Sequence, residues 1–419
     1  MTHNEAMPLR LLPALALLAA FLPAQAPRWR QLNAEARAAI DAKDYSKLRS
    51  VLLELQPLLP GNPRILYNLA ASEARLGHRD AALASLRNLA ATGLIYDLAP
   101  DDDFASLRPS PEYAALVARF ERNKTPVAHA TSLTTITGPD LIPEDIAWDP
   151  KTRRFLLSSV SEARILRPDG QTFATAAWSV FALRPDPVRH LLWATIRYVP
   201  HCARCDKADD GKTALLAFDL TTGALQQRIA SPVPGLLGDM TISRHGDLYV
   251  SEGLHGAVFR LPRGAATLER LDEPGEFPSP QTPALSADEK TLYIPDYIRG
   301  IAALDLTAVN VSTRKARWLQ PAAGIALSGI DGLYVHHNSF LAVQNGTNPA
   351  RVVRFSLDLQ KQEILEAGTP GLGEPTHGVL IKNDFFFIAN SGWGDYDDKG
   401  AKKPGSAPVV SAIRRLKLR

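Results

Sequence analysis

The chain has 419 residues, of which 45% are hydrophobic and 22% are charged. This composition provides enough apolar material for more than one core and excludes a disordered protein. The 47 basic and 44 acidic residues are interspersed along the chain and leave a net charge of +3. No basic stripe stands out, so we expect no nucleic-acid partner.

The first 26 residues have the pattern of an export signal. Arg10 precedes an apolar run from Leu11 to Leu22, and Ala24-Gln-Ala26 supplies small residues at a cleavage point. The apolar run is too short to span a bilayer as a stable helix. We therefore predict a signal peptide over residues 1–26 and an exported chain, periplasmic or secreted, that does not span the membrane.

Residues 29–123 show alanine and leucine at helical spacing, which predicts amphipathic helices. Within this region Asn68–Leu83 resembles a tetratricopeptide repeat, with Gly77 at the inter-helix turn and Ala82 at the close helix crossing. Two repeats do not form a stable solenoid alone, so we expect a capping helix over Pro111–Asn123 or cover from the rest of the chain. Docking against the following domain and binding of a protein partner are both open roles.

Residues 124–130 are predicted to form a short linker, after which the pattern changes to β-strands. Thr131–Thr137 is a run rich in β-branched residues and predicts the first strand of the second region. We expect it to join the last sheet beside Val409–Ile413, because closure of this kind removes exposed sheet edges.

A pattern of two paired strands recurs six times between Glu144 and the C-terminus, mostly at a period of about 45 residues. The first strands begin at or near Glu144, Ser179, Gly238, Gln281, Asp331 and His377. Short strands with Gly and Asp turns at this period are typical of β-propeller blades. We therefore predict a mostly β protein, with a six-bladed β-propeller over residues 131–419 preceded by the small α-helical domain.

The polar ends of these strands should meet at one mouth of the central channel, because paired strands run antiparallel. The second strands bring Glu252, Asp296, Asn345 and Asn390 to that mouth. Carboxylates and amide oxygens suit a hard divalent cation, with Ca²⁺ expected ahead of Zn²⁺, Mn²⁺ or Mg²⁺. Glu252, Asp296 and Asn390 are each better explained as turn residues that bind local backbone groups than as ligands.

At these positions the sequence resembles the regucalcin/gluconolactonase family, which includes senescence marker protein and luciferin-regenerating-enzyme-like proteins. Pro143–Asp149 resembles the family's opening motif Pro-Glu-Gly-Pro-x-Trp-Asp, and Asp331–Val335 resembles its Asp-Gly-Met motif. Family members are six-bladed propellers with a divalent cation in the channel. The resemblance implies that Glu144 and Asp331 are metal ligands and that Asp331 is also the general base.

Two positions depart from the family's pattern. Gln281 stands where the family has a metal-binding Asn, and Gly238 stands where it has a substrate-contacting Asn, although the following Asp239 is retained. His377 is a base by similarity to paraoxonase-type lactonases, or a structural hydrogen-bonding residue. The predicted site comprises the metal ligands Glu144, Gln281 and Asp331, the catalytic residues Asp331 and His377, and the substrate contacts Asp239, Asn345 and Asn390.

Cys202 and Cys205 are the only cysteines and lie in a polar loop between the second and third repeats. A haem attachment site needs a His after the second Cys, and a zinc site needs ligands beyond His201 and the two thiols. Thioredoxin-like chemistry expects the pair at a helix start. Because export favours oxidation, we predict a local disulfide that ties a loop near the channel mouth.

Two functions of different classes follow from these features. The first is a metal-dependent hydrolase that acts on a small lactone or ester in the channel. The second is a non-catalytic binding protein in which the propeller and the helical repeats form a recognition platform for a protein partner. Gly238 and Ser179 at channel positions motivate the second function, because a fold alone does not establish an activity.

Overall fold

The computed structural model describes residues 27–308 and 315–418. The predicted signal peptide lies outside the described residues, so export stays a prediction. Within the described ranges, a helical region is followed by six antiparallel sheets. This arrangement confirms the predicted mostly β fold, a six-bladed propeller with a helical domain before it. No helix within these ranges is long and apolar enough to cross a bilayer.

Five α-helices form the N-terminal region: α1 (Arg28–Asp41), α2 (Tyr45–Leu55), α3 (Pro63–Arg75), α4 (Arg79–Ala91) and α5 (Pro111–Arg122). Asn62 and Ser110 cap α3 and α5, since their side-chain oxygens accept the backbone N–H groups of Arg64 and Tyr113. A proline occupies the first position of both helices, where its missing N–H costs nothing. Gly77 adopts a left-handed conformation, with φ of 79°, at the turn between α3 and α4.

The helices pack in the manner expected of tetratricopeptide-like pairs. Ala82 is fully buried in α4, where its small side chain lets α3 and α4 approach closely. Tyr113 and Phe120 of α5 belong to the same apolar cluster. The helix α5 therefore has the predicted capping role. A 3₁₀-helix over Asp102–Leu107 connects it to α4.

The first three blades each contain four strands in chain order. Blade 1 comprises β3 (Pro143–Asp149), β4 (Arg154–Ser159), β5 (Arg164–Leu166) and β6 (Thr172–Thr175); blade 2 comprises β7 (Ser179–Asp186), β8 (Leu191–Arg197), β9 (Thr213–Asp219) and β10 (Leu225–Ala230); blade 3 comprises β11 (Leu237–Ile242), β12 (Leu248–Glu252), β13 (Ala257–Leu261) and β14 (Glu269–Arg270). The first strands of these blades are in consecutive contact and form the inner wall.

The other three blades have the same strand order, and two of their strands come from the segment of chain that precedes blade 1. Blade 4 comprises β15 (Ala284–Leu285), β16 (Thr291–Asp296), β17 (Gly300–Asp305) and β18 (Arg317–Trp318); blade 5 comprises β19 (Ile330–His336), β20 (Ser339–Gln344), β21 (Arg351–Ser356), β22 (Gln362–Ala367) and β1 (Val127–Ala128); blade 6 comprises β23 (Gly378–Ile381), β24 (Asp384–Ile388), β25 (Ala412–Lys417) and β2 (Ala130–Thr135).

The ring closes through the strand β2, which pairs antiparallel with β25 in the last blade. The register places Thr135 opposite Ala412 and Thr134 opposite Ile413. The predicted closure is confirmed, although β25 begins at Ala412, three residues after the predicted Val409. The predicted linker also contains β1, which extends blade 5 because it satisfies backbone groups on the outer edge of β22.

A buried arginine joins the helical region to blade 5. Arg351 is fully buried, and its Nη1 donates a hydrogen bond of 2.6 Å to the carbonyl oxygen of Thr92, just after α4. Its Nε donates to Gln344 Oε1 at 2.7 Å. One backbone hydrogen bond, from the N–H of Ile95 to the carbonyl oxygen of Asn348 at 2.8 Å, supports the same junction. The helical region is therefore docked on the propeller, as one of its two predicted roles required.

We expect the Arg351→Ala substitution to lower the free energy of unfolding by about 2–4 kcal/mol, because buried acceptors lose their donor and a cavity remains. Chemical denaturation measures this change. Arg354→Ala provides the control, since Arg354 lies on the same strand and pairs with the exposed Glu363. Its loss should cost less than about 1 kcal/mol. Equal effects of the two substitutions would contradict the anchoring role of Arg351.

Candidate metal and catalytic site

The inner strands of four blades carry a β-bulge near the same end. The pairing of each first strand with its second strand shifts between Pro143 and Ile146 in β3, Val180 and Leu183 in β7, Leu237 and Met240 in β11, and Ile330 and Gly332 in β19. Three of these bulges contain acidic residues, namely Glu144 with Asp145, Asp239, and Asp331. Since a bulge redirects side chains, it gives these carboxylates orientations that a regular strand would not.

Hydroxyl groups from the second strands hold the bulges in place. The backbone N–H of Asp145 donates to Ser158 Oγ at 2.8 Å, and that of Asp239 donates to Ser251 Oγ at 3.1 Å. Blade 2 has the equivalent bond to a threonine. These hydroxyls satisfy N–H groups that the shifted ladder leaves without a partner strand. A Ser or Thr near the end of a second strand therefore stabilises the bulge in the neighbouring first strand.

His377 lies directly before β23 and joins blades 6, 1, 3 and 5. Its side chain is 1% exposed. Nδ1 is 2.8 Å from the carbonyl oxygen of Glu144, and Nε2 is 3.2 Å from Asp239 Oδ2 and 3.8 Å from Asp331 Oδ1. Burial opposes a charge on His377, but the carboxylates of Asp239 and Asp331 outweigh it and raise the pKa of His377 well above its ordinary value.

Asp331 is held by an amide from the residue directly after β20, the second strand of its own blade. Asn345 Nδ2 donates to Asp331 Oδ2 at 2.6 Å, and Tyr297 OH donates to Asn345 Oδ1 at 3.0 Å. Burial raises the pKa of Asp331 to about 6, although His377 acts in the opposite direction. Tyr297 also lines a cavity of about 460 Å³ between the helical region and blades 4 and 5. The hydrogen-bond chain therefore links this cavity to Asp331.

Asp239 and Glu144 complete the polar wall. Asp239 Oδ2 accepts a hydrogen bond of 3.1 Å from Thr282 Oγ1. Burial alone would raise the pKa of Asp239, but His377 outweighs this effect and the pKa is lowered. Glu144 Oε2 accepts a bond of 2.6 Å from Trp393 Nε1. Burial and the negative charge of Asp331 raise the pKa of Glu144 to about 8.

Asp145 faces away from Glu144, although the two residues are adjacent. Asp145 Oδ2 accepts bonds from Arg184 Nη1 at 2.5 Å and from the backbone N–H of Leu183 at 2.7 Å. Asp145 is fully buried, so its charge has a partner of opposite sign and a backbone donor. This pair fastens blade 1 to blade 2 and leaves Glu144 as the acidic residue of the bulge on which the charges of Asp331 and His377 act.

The structure brings Asp239, Asp331 and His377 together, with Asn345 and Glu144 in contact with members of this group. One ligand atom from each of Asp239, Asp331 and His377 lies within 4.8 Å of the others, so these described residues could hold a metal ion. The sequence-based ligand set shared only Asp331 with this group.

Two predicted site residues make their side-chain contacts elsewhere. Gln281 Nε2 donates to the carbonyl oxygen and hydroxyl of Ser279, at 3.3 Å and 3.1 Å. Asn390 Oδ1 accepts the backbone N–H of Glu374 at 3.1 Å, which supports its alternative interpretation as a turn residue. Glu252 and Asp296 each accept three backbone N–H groups in turns.

Trp393 was not among the predicted site residues. It lies in the loop 389–411 between β24 and β25, outside the repeated strand pattern, and a short 3₁₀-helix over Trp393–Asp395 positions it. Its ring is stacked on Phe181, with centroids 6.2 Å apart. The repeat pattern could not indicate Trp393, because the residue has no counterpart in the other blades.

Two loops meet beside Glu144. His201, from the loop 198–212, makes an edge contact with the Trp393 ring at 4.7 Å between centroids. Gly400 lies against the same loop, where an added Cβ would come within 2.3 Å of the Pro200 carbonyl oxygen. Cys202 and Cys205 form a disulfide in this loop, with Cα atoms 5.4 Å apart. The loop therefore packs over Trp393, and through it over Glu144.

Protein purified and denatured without reductant should contain no titratable thiol, because both cysteines are bonded to each other. A thiol-reactive chromophore measures this number, and the same sample after reduction supplies the control with both thiols. Two thiols before reduction would contradict the disulfide.

No family model matches the chain, and no curated protein sequence matches it. Luciferin-regenerating enzyme is a structural neighbour at 13% identity and a TM-score of 0.47, with 70% of this chain and 100% of that chain covered. Regucalcin from Agrobacterium tumefaciens, described as a calcium-binding protein, matches at 17% identity and a TM-score of 0.47, over 69% and 96% of the two chains. The PQQ-bound aldose sugar dehydrogenase from Streptomyces coelicolor matches at 13% identity and a TM-score of 0.43, over 68% and 98%.

Two of these neighbours, luciferin-regenerating enzyme and regucalcin, are of the kinds named in the family that the sequence motifs resemble. With TM-scores below 0.5, the matches carry no argument about activity. The six blades themselves establish the fold. The chemistry of the site therefore has to be argued from its own residues.

Proposed function

We propose that the protein is a divalent-cation-dependent hydrolase of a small lactone or ester, with the cation bound by Asp239, Asp331 and His377. The observation that carries this proposal is the orientation of His377. A carbonyl oxygen only accepts hydrogen bonds, so the contact with Glu144 assigns the hydrogen to Nδ1. Nε2 then faces the carboxylates of Asp239 and Asp331, and its lone pair becomes available to a cation when the second proton leaves the ring. Metal-binding histidines are oriented in this way by a carbonyl partner.

The donor set also bears on the identity of the cation. Ca²⁺ prefers six to eight oxygen ligands, whereas an imidazole nitrogen with carboxylates suits Zn²⁺ or Mn²⁺. The sequence favoured Ca²⁺ because its predicted ligands were all oxygen donors. With His377 in the group, we place Zn²⁺ and Mn²⁺ ahead of Ca²⁺.

Hydrolysis of a lactone adds a water oxygen to the carbonyl carbon, breaks the ring C–O bond and returns a proton to the leaving alkoxide. A bound divalent cation would polarise the carbonyl group. We assign proton transfer to Glu144. Its Oε2 accepts from Trp393, while among the described residues no hydrogen bond to Oε1 is found. Its pKa of about 8 lies close to neutral pH, as a group that takes up and returns a proton requires.

Asp331 is assigned as a metal ligand alone, and the general-base role that the family resemblance implied for it passes to Glu144. Its Oδ2 is bound by Asn345, and its Oδ1 faces His377. Both oxygens are therefore positioned by neighbours, which suits a fixed ligand better than a mobile proton acceptor. Asn345 becomes a positioning residue for Asp331 instead of a substrate contact.

The alternative function is a non-catalytic binding platform that uses the helical repeats. The docking of α4 on blade 5 through Arg351 covers part of the helical surface, which gives that alternative less support. The two functions differ in what the site should bind. A platform needs no cation at His377, whereas the hydrolase does.

We expect His377→Ala and Asp331→Asn to lower the affinity for Mn²⁺ by about 10- to 100-fold or more, because each removes one donor. Isothermal titration calorimetry of the chelator-treated protein measures the affinity. Asp358→Asn is the matched control, since Asp358 is an exposed carboxylate in a surface turn. Undiminished Mn²⁺ binding by both site variants would refute the assigned ligands.

Cation binding should strengthen as pH rises. The pKa of Asp331 is about 6, that of Glu144 is about 8 and that of His377 is raised, so protons compete with the cation at low pH. These groups hold protons more tightly in the folded protein than in the unfolded one. Their contribution to stability is therefore present below the unfolded pKa values and is lost as pH rises through the folded values.

The expected result is a Tm difference between Mn²⁺-loaded and chelator-treated protein that grows from about pH 5 to about pH 8. Differential scanning calorimetry in matched buffers measures it, with His377→Ala as the control that should show little difference at any pH. A Tm difference that shrinks with rising pH would contradict the proposed competition between protons and the cation.

A further inference from the structure

Arg197 ends β8 in blade 2 and lies within electrostatic reach of Glu144 and Asp239. Its guanidinium lies over the Phe181 ring, with Cζ 3.7 Å from the ring centroid. Phe181 stacks on Trp393, and Trp393 donates to Glu144. The side chain of Arg197 keeps a partial exposure, so a small molecule at the channel mouth can reach it.

The charge of Arg197 lacks a close partner. Among the described residues its one hydrogen bond runs from Nη1 to the carbonyl oxygen of Leu236, at a long 3.4 Å. Nε is buried without an acceptor in the same set of residues. Carboxylates including Glu144 and Asp239 influence Arg197 through space, but none forms an ion pair with it in the described chain. Burial lowers the pKa of Arg197, which means that its charge is poorly solvated.

Arg184 has the carboxylate partner that Arg197 lacks. Arg184 lies 2.5 Å from the carboxylate of Asp145 and is therefore paired. Buried charges are normally paired in this way, because an unpaired charge pays a desolvation penalty without return. Arg197 is partly exposed, and among the described residues it has only the long bond from Nη1, while Nε has no acceptor. Such an arrangement points to a bound anion as the missing partner.

A glycine lies next to the guanidinium of Arg197. Gly238 has no side chain, and a Cβ at this position would lie 3.9 Å from Arg197 Nη1 and 3.6 Å from Ser251 Oγ. Any larger residue at 238 would extend into the region between β11 and Arg197. The glycine therefore keeps the inner side of the guanidinium accessible from the Asp239 side of the site.

We propose that Arg197 binds a carboxylate carried by the substrate, so that the preferred substrate is an acidic lactone or ester. This inference rests on the proposed hydrolase function. The planar guanidinium matches a carboxylate through parallel N–H donors. A singly charged carboxylate suits the position better than a phosphate, because Glu144, Asp239 and Asp331 would repel a dianion.

The test compares γ-butyrolactone with the same ring bearing a carboxylate at the carbon next to the ring oxygen. Hydrolysis is followed in Mn²⁺-loaded wild-type protein, Arg197→Gln and Arg197→Lys. Arg197→Gln should lower kcat/KM for the acidic lactone by about 10- to 100-fold, the effect of one charge-assisted hydrogen-bonded pair. The value for the neutral lactone should change by less than about threefold. Arg197→Lys keeps the charge and should restore part of the loss.

Arg228→Gln is the control, because Arg228 is exposed on β10 and its guanidinium lies over the Trp178 ring. Equal losses for both lactones in Arg197→Gln, or no loss for either, would overturn the inference. If wild-type protein hydrolyses neither lactone, the increase in Tm caused by each compound decides whether Arg197 binds the carboxylate. Stabilisation of wild type by the acidic lactone alone, lost in Arg197→Gln, supports Arg197 as the anchor while the hydrolase proposal fails. Absence of stabilisation in wild type overturns the inference as well.

Discussion

The hydrogen bond between His377 Nδ1 and the carbonyl oxygen of Glu144 joins the last blade to the first. It forms because β2, from before blade 1, completes blade 6 and closes the ring. Closure makes residues separated by more than two hundred positions in sequence into neighbours across one seam. The same bond fixes the orientation of the His377 ring, so that Nε2 faces the carboxylates of blades 3 and 5. Fold closure and site chemistry therefore depend on one contact.

The electrostatic balance of the mouth follows from this geometry. Asp239, Asp331 and Glu144 are buried near one another, and three negative charges in a poorly solvated space would be costly without compensation. The structure supplies partial compensation through His377, through donors such as Asn345, and through the raised pKa values of Glu144 and Asp331. A divalent cation would complete it. Strained electrostatics of this kind are typical of functional sites, since a purely structural core would use apolar residues.

Much of the fold could be predicted from the sequence, because the repeat period and the strand pattern reflect local physics. The six blades, the closing strand, the capping helix α5 and the turn at Gly77 all express spacing or turn preferences of nearby residues.

The residues of the candidate site were harder to predict from the sequence. Placing strand ends on a ring brought Asp331 and His377 to one mouth, but the bulges decide which neighbouring residue faces inward. Bulges depend on pairing with Ser158 or Ser251 in another strand, which the period does not specify. Trp393 lies outside the repeated positions, and Arg197 was not assigned to the site although it ends β8, so only the folded structure relates them to Glu144.

The most direct measurement of the central claim is an anomalous diffraction map of crystals grown with Mn²⁺ or Zn²⁺ and recorded at the absorption edge of the metal. The account predicts one strong peak at about 2.0–2.2 Å from His377 Nε2 and from a carboxylate oxygen of Asp239 and of Asp331. A map with no peak at this place, or with a peak bound only by residues elsewhere, would contradict it.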